Sequence, residues 1–168
     1  ALLELCAIYR TLLADADGLA ALLNDRPAIL MLTQVNYRSG RLHDMAALTR
    51  LAHDNGVLTV WDLAHSAGAL PVDLNGSDAD FAVGCGYKYL CGGPGSPAYA
   101  FIARRHHDAV KPALAGWMGH ANPFTFSTDY APGPGLARFV VGTPPVLAHP
   151  VMGAGFGSWA RGDHRTEE

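Results

Sequence analysis

Four short apolar runs, residues 28–33, 57–61, 79–83 and 98–103, punctuate the middle of the chain, and each spans only five or six residues. Runs of that length bounded by turn formers are the pattern of strands buried on both faces of a parallel sheet. Between the first two, residues 44–55 place Met45, Leu48, Leu51 and Ala52 at helical spacing, and Gly56 follows where a left-handed residue would end the helix. Strand, loop, helix and strand in that order form a βαβ unit, which crosses over with right-handed chirality. The expected fold class is α/β, a mostly parallel sheet with helices on both faces.

The rest of the chain fits one domain. Its 168 residues, 49% of them hydrophobic, suffice for a single core. Residues 1–25 are rich in Leu and Ala and read as helix, broken around residues 15–18 and ended by Pro27. The 17 residues from Met152 to Glu168 turn to Gly, Trp and charged side chains, so residues 151–168 are expected to form a tail distinct from the body, residues 1–150. The chain opens at Ala1 within a helical pattern and reads as a piece cut from a longer protein.

Charge and cysteine usage narrow the function classes. A net charge of −3 with no block of Lys and Arg argues against a nucleic-acid partner. No apolar stretch approaches the roughly 20 residues of a membrane-spanning helix, so no membrane is expected. Cys6, Cys85 and Cys91 are odd in number and lack zinc-knuckle spacing, which suggests neither a disulfide framework nor a metal site and fits a cytoplasmic protein. His106 and His107 point to different sides of any regular element, without a convergent third ligand, and read as a solvated helix face.

The chemistry concentrates in two places. Asp62 falls directly after an apolar run, where open α/β sheets bind ligands beyond the carboxyl ends of their strands. On residue type alone it serves equally as a cap for the turn before Ala64. About 26 residues later, Tyr87-Lys88-Tyr89 leads into Gly92-Gly93-Pro94-Gly95. A lysine amine that attacks an aldehyde, with a carboxylate that keeps a pyridine nitrogen protonated, is what pyridoxal-phosphate chemistry requires. The neighbouring tyrosines and glycines can partly desolvate the Lys88 amine, which favours its reactive form. The glycines read as letting backbone pass close to Lys88, since neither a dinucleotide fingerprint nor a triphosphate loop is present.

Taken together, Asp62-Leu63-Ala64-His65-Ser66-Ala67-Gly68, Tyr87-Lys88-Tyr89-Leu90 and Gly92-Gly93-Pro94-Gly95 resemble the aminotransferase-like pyridoxal-phosphate enzymes. Three further stretches resemble the kynureninase family: Val35-Asn36-Tyr37-Arg38-Ser39-Gly40 before His43-Asp44-Met45, Gly116-Trp117-Met118-Gly119-His120, and Gly142-Thr143-Pro144-Pro145. The match runs from about residue 28 to residue 145, within what the resemblance makes part of the cofactor-binding large domain.

The resemblance implies pyridoxal 5'-phosphate as cofactor, held by Lys88 as a Schiff base, with Asp62 at the pyridine nitrogen. It implies that Tyr87 reaches the phosphate and relays a proton, and that His65 and Thr33 contact the cofactor. Trp117 and Thr143 match positions that reach the cofactor of a neighbouring subunit, which implies a homodimer with shared sites. By residue type alone they are an ordinary aromatic and a polar residue in a Pro-rich turn. The reaction implied is hydrolysis of L-kynurenine, or its 3-hydroxy form, to anthranilate or 3-hydroxyanthranilate and L-alanine, a step of tryptophan breakdown that feeds NAD synthesis in some organisms. The family is more than twice this length, so the phosphate-binding loop, ring-stacking aromatic and carboxylate-binding arginine would lie outside the chain, which alone is expected to be inactive. The rivals are a cysteine-desulfurase type of enzyme, which usually carries His-Lys where this chain has Tyr87-Lys88, and an α/β module that binds no cofactor.

Overall fold

A computed structural model describes residues 29–160. The helical reading of residues 1–25 and the end of the expected tail lie outside them. Strand β1 (Ile29–Thr33) leads through a loop to helix α1 (Met45–Asp54), followed by β2 (Leu58–Asp62), β3 (Phe81–Cys85), β4 (Ala98–Ile102) and, after several short 3-10 turns, helix α2 (Ala148–Ala160). The sheet order is β1-β2-β3-β4. The first three strands are parallel and β4 runs antiparallel to β3. The reversal follows from the connection: residues 86–97 turn back without a helix, and a parallel neighbour needs a crossover.

Helix α1 begins because the Asp44 carboxylate accepts from the Ala47 N–H at 2.9 Å, an N-cap bond. It ends where Gly56 takes a φ of +70°, the left-handed stop anticipated from its position. Its buried face carries Met45, Leu48, Thr49 and Ala52. Trp61 of β2 is fully buried beneath that face, and its indole N–H donates to Thr49 Oγ1 at 3.0 Å. Leu30, Leu32, Val57, Leu63, Ala79 and Ala82 complete the core, where each large side chain contributes about 1.5–3 kcal/mol by leaving water.

Three details differ from the sequence-based expectation. β1 is buried on one face only: Leu30 and Leu32 are in the core, whereas Ile29 and Met31 are each 41% exposed. Leu58 and Val83 are also exposed, so among the described residues α1 covers one face of the strands and leaves these side chains of the other open. β3 starts two residues later than its apolar run and takes in Gly84 and Cys85, because these pair with Tyr99 and Ala98 of β4. The rest of the glycine-rich stretch is loop. Residues 148–160 form a helix, and Gly155 brings it against the loop after β3: a Cβ there would stand 2.6 Å from the Leu90 carbonyl oxygen.

The third strand's late start has a cause. Asp80, 1% exposed, sits just before β3 and gathers four elements. Its carboxylate accepts from the Thr59 N–H at 2.9 Å and the Thr59 hydroxyl at 3.1 Å, and lies 2.7 Å from both His53 Nε2 and His106 Nε2. Arg105 donates to it at 2.8 Å and also pairs with Asp78. The expectation that His106 and His107 form a solvated face is therefore overturned: His106 turns inward to Asp80, and His107 Nε2 lies 2.9 Å from the Ile102 carbonyl. A buried carboxylate requires such partners.

Burial alone would push the Asp80 carboxyl upward, but hydrogen bonds from His53, His106, Thr59 and Arg105 outweigh it and hold it well below its ordinary value of 3.8. A carboxyl depressed on folding stabilises the fold above its unfolded value, and the stabilisation is lost as pH falls toward the folded one. Denaturant titrations from pH 7 to pH 2 are thus expected to show stability falling below about pH 4, while Asp80→Asn loses about 3 kcal/mol at pH 7 and flattens that acid limb.

Candidate active site

The carboxyl ends of the three parallel strands are level: Thr33, Asp62 and Val83 are register partners across β1, β2 and β3. This is where an α/β sheet presents side chains to a ligand. The β1 end is tied down by the Gln34 N–H, which donates to the Asp62 carbonyl at 3.0 Å, and the β2 end by the Leu63 N–H, which donates to the Val83 carbonyl at 2.8 Å. The chain then turns sharply at residues 63–67, with the Ser66 and Ala67 N–H groups both donating to the Leu63 carbonyl. That turn carries His65 back over the sheet edge.

Asp62 takes the capping part that its residue type allowed. Its Oδ1 accepts from the Ala64 N–H at 2.8 Å, capping the turn, while Oδ2 makes no hydrogen bond among the described residues and is available to a ligand. Lys88 lies in the bend after β3, half-buried, with Nζ 3.2 Å from His65 Nε2 and 5.3 Å from the centre of the Tyr87 ring. Tyr87 is half-exposed. In that contact Lys88 Nζ donates and His65 Nε2 accepts, in the tautomer that leaves Nε2 without a proton.

The loop around Lys88 is shaped by glycines, though by different ones than expected. Gly93 and Gly95 have open space around them and are needed for φ values of +70° and +80°. The close approach occurs at Gly68, where a Cβ would meet the Tyr89 carbonyl oxygen at 2.4 Å at a φ of +88°. Gly86 and Gly92 flank the Ser96 hydroxyl, which is buried without a hydrogen-bond partner. The Tyr99 ring lies over Gly84, and its hydroxyl is also buried and unpartnered. Burial, followed by the nearby Cys85 and Asp62, pushes the Tyr99 phenol up to about 12.

Of the other expected site residues, Thr33 is at the sheet edge and its hydroxyl donates to the Val35 carbonyl at 2.8 Å. Trp117 packs edge-on against Phe124 with ring centres 5.8 Å apart, and Thr143 is exposed. Neither makes a hydrogen bond or ring contact with Lys88, Asp62 or His65. Two neighbours escaped the sequence reading: Tyr37, stacked on His65 with ring centres 5.9 Å apart, and Gly68. Both lie inside quoted motifs, but only the folded chain brings them to Lys88.

A primary amine, a carboxylate, an imidazole and a phenol at the carboxyl edge of a parallel sheet define a site for a carbonyl-bearing cofactor in an α/β enzyme. The chain belongs to the aminotransferase class-V family, whose pattern it matches over residues 3–165. That family uses pyridoxal phosphate, and the residues present suit it: an amine for its aldehyde, a carboxylate with a free oxygen for its ring nitrogen, and an imidazole and a phenol for its other polar groups.

The chain is 56% identical over 135 residues to a kynureninase of Deinococcus radiodurans, covering 80% of this chain and 33% of that protein. It is 48% identical over 152 residues to a kynureninase of Burkholderia mallei, covering 90% of this chain and 36% of that one. It therefore spans about a third of the length of these relatives. Among solved structures, a cysteine desulfurase of Thermococcus onnurineus superposes with a TM-score of 0.72 at 26% identity, covering 88% of this chain and 36% of the other. A variant of C-DES with glycine covalently linked to its pyridoxal-phosphate cofactor gives 0.74 at 21% identity, covering 88% and 39%, a likeness of fold alone.

Because Gly68 packs directly on the backbone that follows Lys88, Gly68→Ala is expected to cost about 2 kcal/mol in denaturant unfolding and to displace the Lys88 loop. The local effect would register as loss of the nuclear Overhauser contacts between Lys88 and His65.

Proposed function

We propose that this chain carries the cofactor lysine and the catalytic edge of a kynureninase, which hydrolyses the carbon–carbon bond of L-kynurenine to give anthranilate and L-alanine. The observation that carries the reading is the Lys88 amine 3.2 Å from His65 Nε2, in the turn that follows Asp62 at the end of β2, in a chain 56% identical to a kynureninase. In this reading Lys88, Asp62, His65, Tyr87 and Thr33 hold pyridoxal phosphate. Trp117 and Thr143 serve the site of a second copy in a homodimer. In this reading the large domain comprises residues 1–150, and residues 151–168 form the segment that follows it. A cytoplasmic location fits the free thiols of Cys85 and Cys91, and among the described residues no helix is long and apolar enough to cross a membrane.

Pyridoxal phosphate, when bound, supplies an electron sink for charge that develops on the substrate α-carbon. Each side chain then has a task its geometry allows. Asp62 Oδ2 is free to keep a ring nitrogen protonated, because Oδ1 already anchors the turn. Lys88 would hold the cofactor aldehyde and, as a free amine, would be able to take the α-proton, with His65 within reach to share it. Water adds to the side-chain carbonyl, the bond between Cβ and the carbonyl carbon breaks, and the exposed Tyr87 phenol provides a proton to Cβ.

The structural likeness to a cysteine desulfurase keeps that chemistry as the second reading, and substrate choice separates the two. The chain is incubated with pyridoxal phosphate, reduced with borohydride and mapped by peptide mass. It is also placed in the Deinococcus radiodurans relative in exchange for the matching segment and assayed with kynurenine and with cysteine. The reading expects an adduct on Lys88 and release of anthranilate, with Lys88→Ala losing the adduct and about 10³-fold or more of the activity. Sulfide release from cysteine without anthranilate would assign the chain to the other chemistry. Absence of any adduct in the hybrid would remove the cofactor reading altogether.

A further inference from the structure

The loop between β1 and α1 is more ordered than a connector needs to be. Val35 and Leu42 form an antiparallel bridge, the Asn36 N–H donates to the Arg41 carbonyl at 2.9 Å, and the Gly40 N–H donates to the Asn36 carbonyl at 2.8 Å. The Asn36 side chain closes the tip by accepting from the Arg38 and Ser39 N–H groups, an Asx turn. Gly40 supplies the φ of +68° that this reversal demands. At the base, the His43 N–H donates to the Gln34 carbonyl, and the Gln34 N–H donates to the Asp62 carbonyl. The hairpin is thus bonded to the same strand end that carries Asp62.

What the hairpin holds out is Tyr37, 64% exposed and so not placed there by burial in the core. One face of its ring lies against the His65 imidazole, with centres 5.9 Å apart and planes at 30°, within the offset-stacking range. The other edge of that imidazole, Nε2, meets Lys88 Nζ at 3.2 Å. An imidazole on a surface turn otherwise samples several rotamers; stacking on a fixed ring selects the one that faces the lysine.

We propose that Tyr37 is a positioning residue that holds His65 in hydrogen-bonding contact with Lys88, and so governs how readily the Lys88 amine reacts. The proposal rests on the reading of Lys88 as the reactive amine, and it deepens that reading by adding a residue outside the contacts expected from the family resemblance. With His65 in place the imidazole holds Lys88 Nζ in a hydrogen bond at 3.2 Å, which the amine must leave before it can attack a carbonyl group. Releasing the imidazole frees the amine.

The sequence provides its own control, since Lys88 and Lys111 are its two lysines. The cofactor-free chain is treated at pH 8 with limiting trinitrobenzenesulfonate, and modification of each lysine is followed by peptide mass. Tyr37→Leu is expected to raise the Lys88 rate about threefold, Tyr37→Phe to leave it unchanged because the ring is kept, and Lys111 to be unaffected in both. In a His65→Gln background, Tyr37→Leu should add nothing, which a merely structural role of the ring would not produce. An unchanged Lys88 rate in Tyr37→Leu would overturn the proposal, as would an equal change in the His65→Gln background or a parallel rise at Lys111. No cofactor is present in these measurements, so they stand apart from adduct formation: loss of the adduct speaks against the cofactor reading, and loss of the Tyr37 effect speaks against the positioning role.

Discussion

The sheet is organised from one end by a buried carboxylate. Asp80 joins β2 through Thr59, α1 through His53, and the turn after β4 through Arg105 and His106. A charge in that position is costly unless every lone pair is used, so the elements around it must meet in one arrangement. Thr59 fixes β2 alongside the start of β3, and the Asp62–Val83 pair at the opposite end inherits that register. A slip of one residue would strand the Asp80 charge and turn Trp61 out of the core. Chemistry at the carboxyl edge therefore depends on electrostatics at the amino edge.

The two ends differ in what they leave unsatisfied. Around Asp80, donors and acceptors are matched. At the other edge, among the described residues, Asp62 keeps one oxygen without a hydrogen bond, Lys88 has an imidazole partner, and the Ser96 and Tyr99 hydroxyls are buried with none. Buried polar atoms are normally satisfied, and incomplete satisfaction concentrated beside a half-buried amine marks the part of the fold shaped for chemistry rather than stability. The backbone around it is held firmly, through the capped turn at residues 63–67 and the Gly68 contact with Tyr89. Fixed backbone with uncommitted side-chain groups is the condition for a preorganised site.

How far this was legible in the sequence depended on the range of the interaction. Short-range signals transferred directly: the helical pattern of residues 44–55, the Gly56 stop and the apolar run of β2 each act within a few residues and appear in the structure within a residue of where they were read. The Asp62 and Lys88 motifs stood out because residue types and order carried them. What escaped were pairings across long separations with no local signature. Asp80 lies inside the apolar run of residues 79–83, and nothing near it in sequence announces His53 or His106. The same holds for Tyr37, whose partner is 28 residues away. β1 read as buried on both faces because an apolar run looks the same whether or not its second face is covered.

The open surfaces bear on how the site is completed. Leu114, Phe124, Phe126 and Leu147 are between 74% and 87% exposed, and they lie in the same part of the chain as Trp117 and Thr143. Large apolar side chains exposed to this degree are what a covering element would bury. Two covers are consistent with the chemistry: the remaining length of the protein, given that the chain spans about a third of its relatives, and a second copy in the proposed homodimer. They act on different regions. The face of the sheet presenting Ile29, Met31, Leu58 and Val83 is a regular strand surface, the kind that helices of the same domain cover in an α/β fold. The region around Trp117 is built of short turns, and it leaves Phe124 and Phe126 exposed.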